Sequence, residues 1–398
     1  MLENVLIISS LLALGFFSWY AGWKWERGFT RPRAANNPLV SIIIPAYKAE
    51  STIADTLESV RSLNYKNTEV IVVNDSDDGT PEVCRRYGAR LIQHKKRVGK
   101  PASLNEAAAA AKGEILFFLD ADTVVDRNCL GNIVPWFSRS EIGAVSPKYT
   151  VNNTGNMLTK LISFESRIVS SLYKTHMQFG SLITFRGCGI AVRKAILERL
   201  GGWPQTLIED NYFAAQLLKA GYRIQYDHEA VVRTNEPTSL ASLKDQRIRW
   251  GKGFVYTFTD YWKMYFRAPQ FSLYALPYVF LMLGVASVIL WQTTTLLLPL
   301  IPIYILYAFS VRHFIEVLAL GLIPFLATFF TSINAASVGH VFLIAATEHR
   351  MKLREAAQVI PYTFVYMPLV TGFYVRGIIA GINAKRRRVP QLDFEHWS

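Results

Sequence analysis

The segment EILFFLDAD, residues 114–122, decides the fold class, because a run of apolar residues ends there in two carboxylates. A continuous apolar run of this length is typical of a strand that is buried on both faces, as in parallel sheets covered by helices. The runs VSIIIP at 40–45, EVIVVND at 69–75 and ARLIQ at 89–93 repeat the pattern, with helix-like segments between them. The sequence therefore predicts a β-α-β series and a parallel sheet from Val40 to about Asp227.

Polar residues follow these runs, at the carboxyl ends of the strands where open α/β sheets bind their ligands. The strongest signal is Asp120-Ala121-Asp122. Two carboxylates beside a buried strand are costly unless positive charge meets them, and Mg²⁺ or Mn²⁺ bound to a diphosphate supplies that charge. A helix cap or a solvated loop would explain an isolated DxD sequence, but the strand before it favours a metal site. We expect Asp122 to bind the metal, and Asp120 to share it or to bind hydroxyl groups of a nucleotide sugar.

Two further segments are predicted to contact a nucleotide. Residues 45–47 and 74–80 follow neighbouring strands, and Asp75 offers a carboxylate to a nucleobase or a ribose. Each stretch is equally typical of an ordinary turn, because Asn, Asp, Ser and Gly favour turns. Gly99 and Lys100 open an alanine-rich helix, a place where anions bind well. The spacing around them differs from that of a Walker loop.

The composition predicts that part of the chain lies in a membrane. Of its 398 residues, 51% are hydrophobic, which is high for a soluble enzyme. Residues 5–23 form an apolar run long enough to cross a bilayer, and they are predicted to be a retained anchor because no basic residue precedes the run, as it would in a signal peptide. Further apolar spans begin near residues 270, 294, 314 and 361, which gives about four more crossings.

A helix is predicted between Ser239 and Arg267, where apolar residues recur at spacings of three and four or their sums. One face of this helix is apolar and the other is basic. A helix of this kind beside membrane spans is expected to lie in the membrane interface.

The formal charge of +13 and the aromatic content of 13% raise the question of nucleic-acid binding. The cations do not form one stripe. Many of them flank the apolar spans, as at Lys24 and Lys385 to Arg388, where cytoplasmic loops normally carry them. They are therefore interpreted as markers of topology, and no nucleic-acid partner is expected. The cysteines Cys84, Cys129 and Cys188 show no metal-ligand or redox spacing, which fits a reducing compartment.

Seven short motifs occur in one order along residues 38 to 270. They are IIIPAY, an NDSxDxT turn, GKxxxLN, DAD, GGW, an ED pair at 209–210 and QxxRW at 246–250. In this order they resemble glycosyltransferase family 2. The QxxRW element resembles that of the processive synthases of cellulose, chitin, hyaluronan and poly-N-acetylglucosamine.

The resemblance implies a GT-A (Rossmann-like) α/β catalytic domain and an inverting displacement. Asp210 matches the general base of the family, and Glu209 beside it is expected to position the acceptor or to raise the pKa of its neighbour. Asn74 stands where many relatives have Asp, so contact with the nucleobase falls mainly on Asp75. Arg249 matches the arginine near the donor diphosphate. Residue patterns and resemblance together assign the donor side to Pro45, Ala46, Tyr47, Asp75, Asp78, Lys100, Asp120, Asp122 and Arg249, and the acceptor side to Gln246, Trp250, Gly187 and Cys188.

The expected organisation is a cytoplasmic GT-A domain inserted between transmembrane helices of the plasma membrane, with an amphipathic interfacial helix. The predicted boundaries are an anchor helix at 1–25, the glycosyltransferase domain at 38–237, the interfacial helix with QxxRW at 238–268, about four transmembrane helices at 269–384 and a basic cytoplasmic tail at 385–398.

Three functions are compared on this basis. The first is a processive β-glycan synthase that transfers sugar from a nucleotide donor, expected to be a UDP-sugar, to a growing polysaccharide with Mg²⁺ or Mn²⁺. The second is a single-transfer enzyme acting on a lipid acceptor such as polyprenyl phosphate or diacylglycerol, and product length separates the two. The third is a transporter or receptor, which predicts more polar residues in the spans than Glu316, Asn334 and His340.

Overall fold

The computed structural model of the protein describes residues 20–33, 36–272, 358 and 361–387. The strands are β1 (Val40–Ala46), β2 (Thr68–Asn74), β3 (Arg90–Gln93), β4 (Ile115–Leu119), β5 (Thr123–Val125), β6 (Ile142–Val151), β7 (Gly189–Arg193) and β8 (Arg223–Thr234). The helices are α1 (20–27), α2 (Ile53–Arg61), α3 (Thr80–Arg86), α4 (Lys100–Ala110), α5 (Cys129–Ile133), α6 (Met157–Met177), α7 (Lys194–Arg199), α8 (Glu209–Lys219), α9 (Leu240–Arg267) and α10 (Met367–Arg386). Further helical segments are a 3₁₀ turn at Val134–Ser138, a short turn at 269–272 and a π-helical turn at Tyr362–Tyr366.

The strands in the described part of the chain form an eight-stranded sheet with the order β3-β2-β1-β4-β7-β6-β8-β5. The first four strands of this order are parallel, as the apolar runs predict, and Ile42 pairs with Val70 on one side and with Phe117 on the other. Successive residues of a strand point to opposite faces, so Ile42 belongs to one hydrophobic core and Ile43 to a second core on the other face. Burial on both faces explains why these strands are continuously apolar.

The second half of the sheet is mixed: β6 and β8 pair in parallel, but the prediction of a parallel sheet is wrong for β7 and β5. Strand β7 is antiparallel to β4 and β6, and β5 is antiparallel to β8. Phe118 pairs with Ile190 in this arrangement. The backbone just before β7 therefore lies beside the end of β4, where the Asp120 N–H donates to the Cys188 carbonyl at 3.4 Å. The antiparallel strand thus brings Gly187 and Cys188 to the two carboxylates.

Helices α9 and α10 cross closely at two glycines. A Cβ atom on Gly377 would lie 2.3 Å from the Ile248 carbonyl oxygen, and one on Gly251 would lie 2.4 Å from the Tyr374 carbonyl oxygen. Next to this crossing, Arg247 of α9 is buried and is not part of an exposed basic face. Close contact between α9 and α10 therefore depends on the absence of side chains at both glycines.

The buried Arg247 joins three helical segments. Its guanidinium donates to Glu165 of α6 at 2.6 Å and to the Tyr366 hydroxyl at 3.2 Å. The Tyr366 hydroxyl also donates to Glu165 at 2.8 Å. By contrast Leu240, which the sequence pattern assigns to the apolar face of α9, is 55% exposed. The simple division into an apolar and a basic face is therefore corrected for the first half of α9.

Within the described ranges, we find no helix that combines the length and the apolar sequence needed to cross a bilayer. The predicted anchor at 5–23 and the spans beginning near 270, 294 and 314 lie almost entirely outside those ranges. The span predicted from near 361 coincides with the π-helical turn and α10.

Gly377→Ala tests the helix crossing. The added methyl group meets backbone atoms that cannot turn away, so we expect a lower melting temperature, with an overpacking cost of about 1–3 kcal/mol. Thermal unfolding of the purified protein in detergent measures the effect. Gly372→Ala is the matched control, because it lies on the same helix and its Cβ would meet no atom within 4 Å. Equal melting temperatures for the two variants would contradict the proposed close packing.

Candidate active site

Two adjoining cavities lie at the carboxyl ends of the parallel strands. The strand-end cavity has a volume of about 450 Å³. The helix-side cavity has a volume of about 190 Å³, and its wall includes α8 and α9. Lys100, Asp120 and Asp122 line both cavities. The strand-end cavity is also lined by Pro45, Ala46, Tyr47, Asp75 and Arg97, and the helix-side cavity by Gly187, Cys188, Glu209, Asp210, Gln246, Arg249 and Trp250.

Asp75 forms part of the strand-end wall, but its carboxylate is engaged by neighbouring groups. It accepts hydrogen bonds from the backbone N–H of Gly99 at 2.9 Å and of Val98 at 3.2 Å. It also accepts from the Ser103 hydroxyl at 3.3 Å and pairs with His94. In this structure Asp75 therefore fixes the start of α4 against the end of β2, and direct contact with a nucleobase stays a prediction.

Tyr47 stands at the edge of the strand-end cavity and is 39% exposed. The Arg97 guanidinium carbon lies 3.9 Å from the centroid of the Tyr47 ring, a cation–π contact. A flat ring and a cation therefore line this cavity together.

Asp78 does not line either cavity. One of its oxygens accepts from the Ser76 hydroxyl at 2.8 Å and the other from the Glu50 N–H at 3.2 Å. Burial alone would raise the pKa of Asp78, but hydrogen bonds from Thr80 and Ser76 hold it below the usual value. In this structure the Asp78 oxygens stabilise backbone and hydroxyl groups of the turn, and the donor contact assigned to Asp78 from the sequence stays a prediction.

The acidic pair lies at the junction of the cavities. Lys100 Nζ is 2.7 Å from an Asp120 oxygen and 3.3 Å from a Glu209 oxygen. Burial would lower the pKa of Lys100, but the carboxylates of Asp120 and Glu209 raise it above its usual range. Asp122 instead accepts from the Thr234 hydroxyl at 3.0 Å. Burial and the charge of Asp120 raise the pKa of Asp122 to about 6, so a cation at this point would stabilise its ionised form.

Asp210 begins helix α8 with both oxygens held by backbone groups. The Gly187 N–H donates to one oxygen at 2.8 Å and the Asn211 N–H to the other at 2.7 Å. Burial and the neighbouring Glu209 carboxylate raise the pKa of Asp210 to about 6, against the opposing charge of Lys100. The like-charge effect expected from Glu209 is therefore present, second to burial. A carboxylate with this pKa is ionised at neutral pH and is a stronger base than an exposed one.

Helix α9 supplies the opposite wall through one face that carries Gln246, Arg249 and Trp250. Arg249 donates to the Leu207 carbonyl at 3.4 Å. The Arg247 guanidinium carbon lies 4.1 Å from the centroid of the Trp250 ring. The indole is therefore held by a buried cation, which is itself fixed by its ion pair on α6.

The sequence that forms much of this site matches a known protein family. Residues 41–201 match the family model described as Glycosyl transferase family 2. This region is a glycosyltransferase domain. It includes the strand-end cavity, the acidic pair and the Gly187-Cys188 segment, and the wall formed by α8 and α9 follows it in the chain.

Two curated relatives align over the domain and beyond it. The chain is 28% identical over 246 residues to a poly-β-1,6-N-acetyl-D-glucosamine synthase of Staphylococcus epidermidis, covering 60% of each protein. It is 27% identical over 278 residues to the probable glycosyltransferase YdaM of Bacillus subtilis, covering 66% of each. The chain thus spans about three fifths to two thirds of the length of these relatives.

A solved structure supports the fold. The chain resembles the mannosyltransferase PcManGT of Pyrobaculum calidifontis, solved with GDP-Man and Mn²⁺, with a TM-score of 0.56. The sequences are 22% identical, and the match covers 87% of this chain and 97% of that one. The similarity establishes a GT-A-like α/β fold.

Sequence reasoning missed a group of residues on the helix-side wall of the glycosyltransferase domain. They come from the second half of the sheet and the residues next to its strands, and the apolar runs do not reveal the mixed pairing there. Arg186 had one available signal, since it directly precedes the Gly187-Cys188 segment. The missed lining residues are Tyr149, Arg186, Thr234, Asn235 and Glu236.

Asp122→Asn tests the charge crowding in the glycosyltransferase domain. Because the pKa of Asp122 is raised in the folded state, the stability contributed by its neutral form is complete below about pH 4 and lost as the pH rises through about 6. In the presence of a chelator, the variant should therefore melt at a higher temperature than the wild type at pH 8, and the difference should shrink towards pH 4.5. The exposed Asp77→Asn is the control. A difference that does not change with pH would refute the proposed crowding.

Proposed function

We propose that the protein is an inverting, metal-dependent membrane glycosyltransferase that transfers sugar from a nucleotide donor to a sugar acceptor. One observation carries this proposal: acidic, basic and aromatic side chains expected to act on one substrate pair line one cavity. Asp122 and Arg249 are suited to the donor diphosphate, Asp210 to the reacting hydroxyl and Trp250 to the acceptor ring. A site for sugar binding alone would not need a buried carboxylate of raised pKa beside a cluster of cations.

Asp210 is the base in this proposal. Its free lone pairs accept the proton of the acceptor hydroxyl while the acceptor oxygen bonds to the anomeric carbon of the donor. The bond from that carbon to the diphosphate breaks on the opposite face, and its electron pair leaves with the diphosphate oxygen. Arg249 meets the charge that develops there, because a guanidinium binds two phosphate oxygens at once. Lys100, which is 2.7 Å from Asp120, adds a second cation at the junction of the cavities.

The acidic pair fits a divalent cation bound jointly with a diphosphate. Within the described ranges, no group of three or more His, Cys, Asp or Glu side chains is arranged to hold a metal. Mg²⁺ and Mn²⁺ in nucleotide sites need only one or two carboxylates, because phosphates and water supply the other oxygens. Asp122, whose ionisation is opposed by Asp120, and Asp120 itself would hold the ion. When bound, it would neutralise charge on the departing diphosphate.

The donor and product are proposed from the relatives. Poly-β-1,6-N-acetyl-D-glucosamine synthase, as named in Staphylococcus, forms a polysaccharide, so we propose a UDP-sugar donor and processive growth of a β-glycan. The catalytic domain is proposed to face the cytoplasm at the plasma membrane, because cations flank the apolar segments of the sequence. The alternative of a single transfer to polyprenyl phosphate or diacylglycerol differs in product length.

A donor panel tests the proposal. Protein purified in nanodiscs is incubated with Mg²⁺ or Mn²⁺, lipid or oligosaccharide acceptors, and UDP- and GDP-sugars, and both nucleotide release and product length are measured. We expect release of UDP from one preferred donor, loss of release with a chelator, and a polymeric product. A product carrying a single added sugar on lipid would select the alternative. Absence of nucleotide release from every donor would contradict a transferase.

Asp210→Asn tests the base. The amide cannot accept the proton, so turnover should fall by about 10²–10⁴-fold while nucleotide-sugar affinity stays near the wild-type value. The wild-type rate should rise with pH through about 6, because Asp210 must be ionised to act. Steady-state rates from pH 5 to 8 and equilibrium donor binding measure these effects, with the exposed Asp55→Asn as control. Unchanged turnover in Asp210→Asn would remove this assignment.

A further inference from the structure

Glu236 follows β8 and lines the helix-side cavity. Only one of its two carboxylate oxygens accepts a hydrogen bond from the described residues. Its side chain is 5% exposed. One oxygen accepts a hydrogen bond from the Tyr149 hydroxyl and lies 3.4 Å from Arg186. The other oxygen is buried and has no hydrogen-bond donor among the described residues. A buried carboxylate oxygen without a donor is costly, so its presence in a cavity wall indicates a ligand that supplies one.

Aromatic rings surround the ion pair that holds Glu236. The Arg186 guanidinium carbon lies 4.1 Å from the centroid of the Tyr149 ring and 5.6 Å from that of Trp250. The cation thus connects the carboxylate to the indole proposed as the acceptor platform. Because Arg186 compensates its charge, Glu236 requires no metal ion or ammonium group as partner.

A second unsatisfied acceptor lies in the same cavity. The side-chain oxygen of Gln246 is also buried without a donor among the described residues. Gln246 is one helical turn before Trp250 on the same face of α9. Two unsatisfied acceptors beside an indole fit a neutral ligand that has an apolar ring face and several hydroxyl donors. A pyranose ring has these features.

We propose that Glu236 is an acceptor-binding and specificity-determining residue. Its free oxygen accepts a hydrogen bond from a hydroxyl of the acceptor sugar other than the one that attacks. With Trp250 beneath the ring, this contact selects the face and the rotation in which the ring lies, and hence the hydroxyl that reaches Asp210. The inference rests on the proposed transferase function. It deepens that function by naming a residue that determines how the acceptor sugar is oriented.

The test compares the wild type with Glu236→Gln, using the preferred nucleotide sugar and methyl N-acetyl-β-glucosaminide or methyl β-glucoside as the acceptor. A charge-assisted hydrogen bond is weakened by the amide, so the acceptor KM should rise by about tenfold or more while the donor KM is unchanged. One monodeoxy acceptor should lose a similar factor with the wild type and little with the variant. Glu198→Gln is the matched control, since this carboxylate is 62% exposed and pairs only with Lys194 across one turn of α7.

The outcomes separate the inference from the function on which it rests. Nucleotide release by the wild type with an unchanged acceptor KM in Glu236→Gln would overturn the inference alone. A loss of Mn²⁺ or donor affinity in the variant would also overturn it, because Glu236 would then belong to the donor side. If the variant fails to fold, the monodeoxy acceptors are tested with the wild type alone. If removing each non-attacking hydroxyl in turn leaves the acceptor KM unchanged, the proposal is contradicted. No release from any donor would contradict the proposed function itself.

Discussion

The site depends on the cost of bringing several carboxylates together where little water reaches them. Asp120, Asp122, Glu209 and Asp210 line one small cavity, and Lys100 bridges Asp120 and Glu209. The bridge compensates part of this charge. The part that is not compensated raises the pKa values of Asp122 and Asp210. This crowding destabilises the ligand-free fold, but it also raises the basicity of a carboxylate and favours a cation. Active sites commonly lose stability in this way in return for reactivity.

The two halves of the sheet contribute different parts of this arrangement. The parallel half ends in backbone turns and carboxylates, which suits a nucleotide and its diphosphate. The mixed half brings the Gly187 N–H to Asp210 and places Glu236 and Arg186 in the far wall. The proposed reacting centre therefore lies where the strand direction reverses, with the groups proposed for the donor on one side and those proposed for the acceptor on the other.

The sequence predicts the parallel half of the sheet well, because that half follows from the backbone. The apolar run before Asp120 requires a buried strand, and the carboxyl ends of parallel strands must meet at one edge. Asp78 shows where such reasoning stops: it has the same side chain and also follows a strand, yet its oxygens are used by Ser76 and the Glu50 N–H. Composition does not reveal which carboxylates already accept hydrogen bonds within a turn. Glu236 was missed for a related reason, because its place in the cavity depends on the pairing of β8 with β6, which the apolar runs do not reveal.

Arg247 links the Trp250 indole to Glu165 and Tyr366, which lie far from it in the sequence. All the side chains proposed to act in transfer precede residue 251, whereas Tyr366, which shares the Glu165 carboxylate with Arg247, comes more than a hundred residues later. Tyr366 therefore helps to hold the cation that lies against the proposed acceptor platform, Trp250. A fragment ending at Arg267 would keep the side chains proposed to act in transfer and the Arg247–Glu165 ion pair, but it would lose the Tyr366 hydroxyl that hydrogen-bonds to both members of that pair.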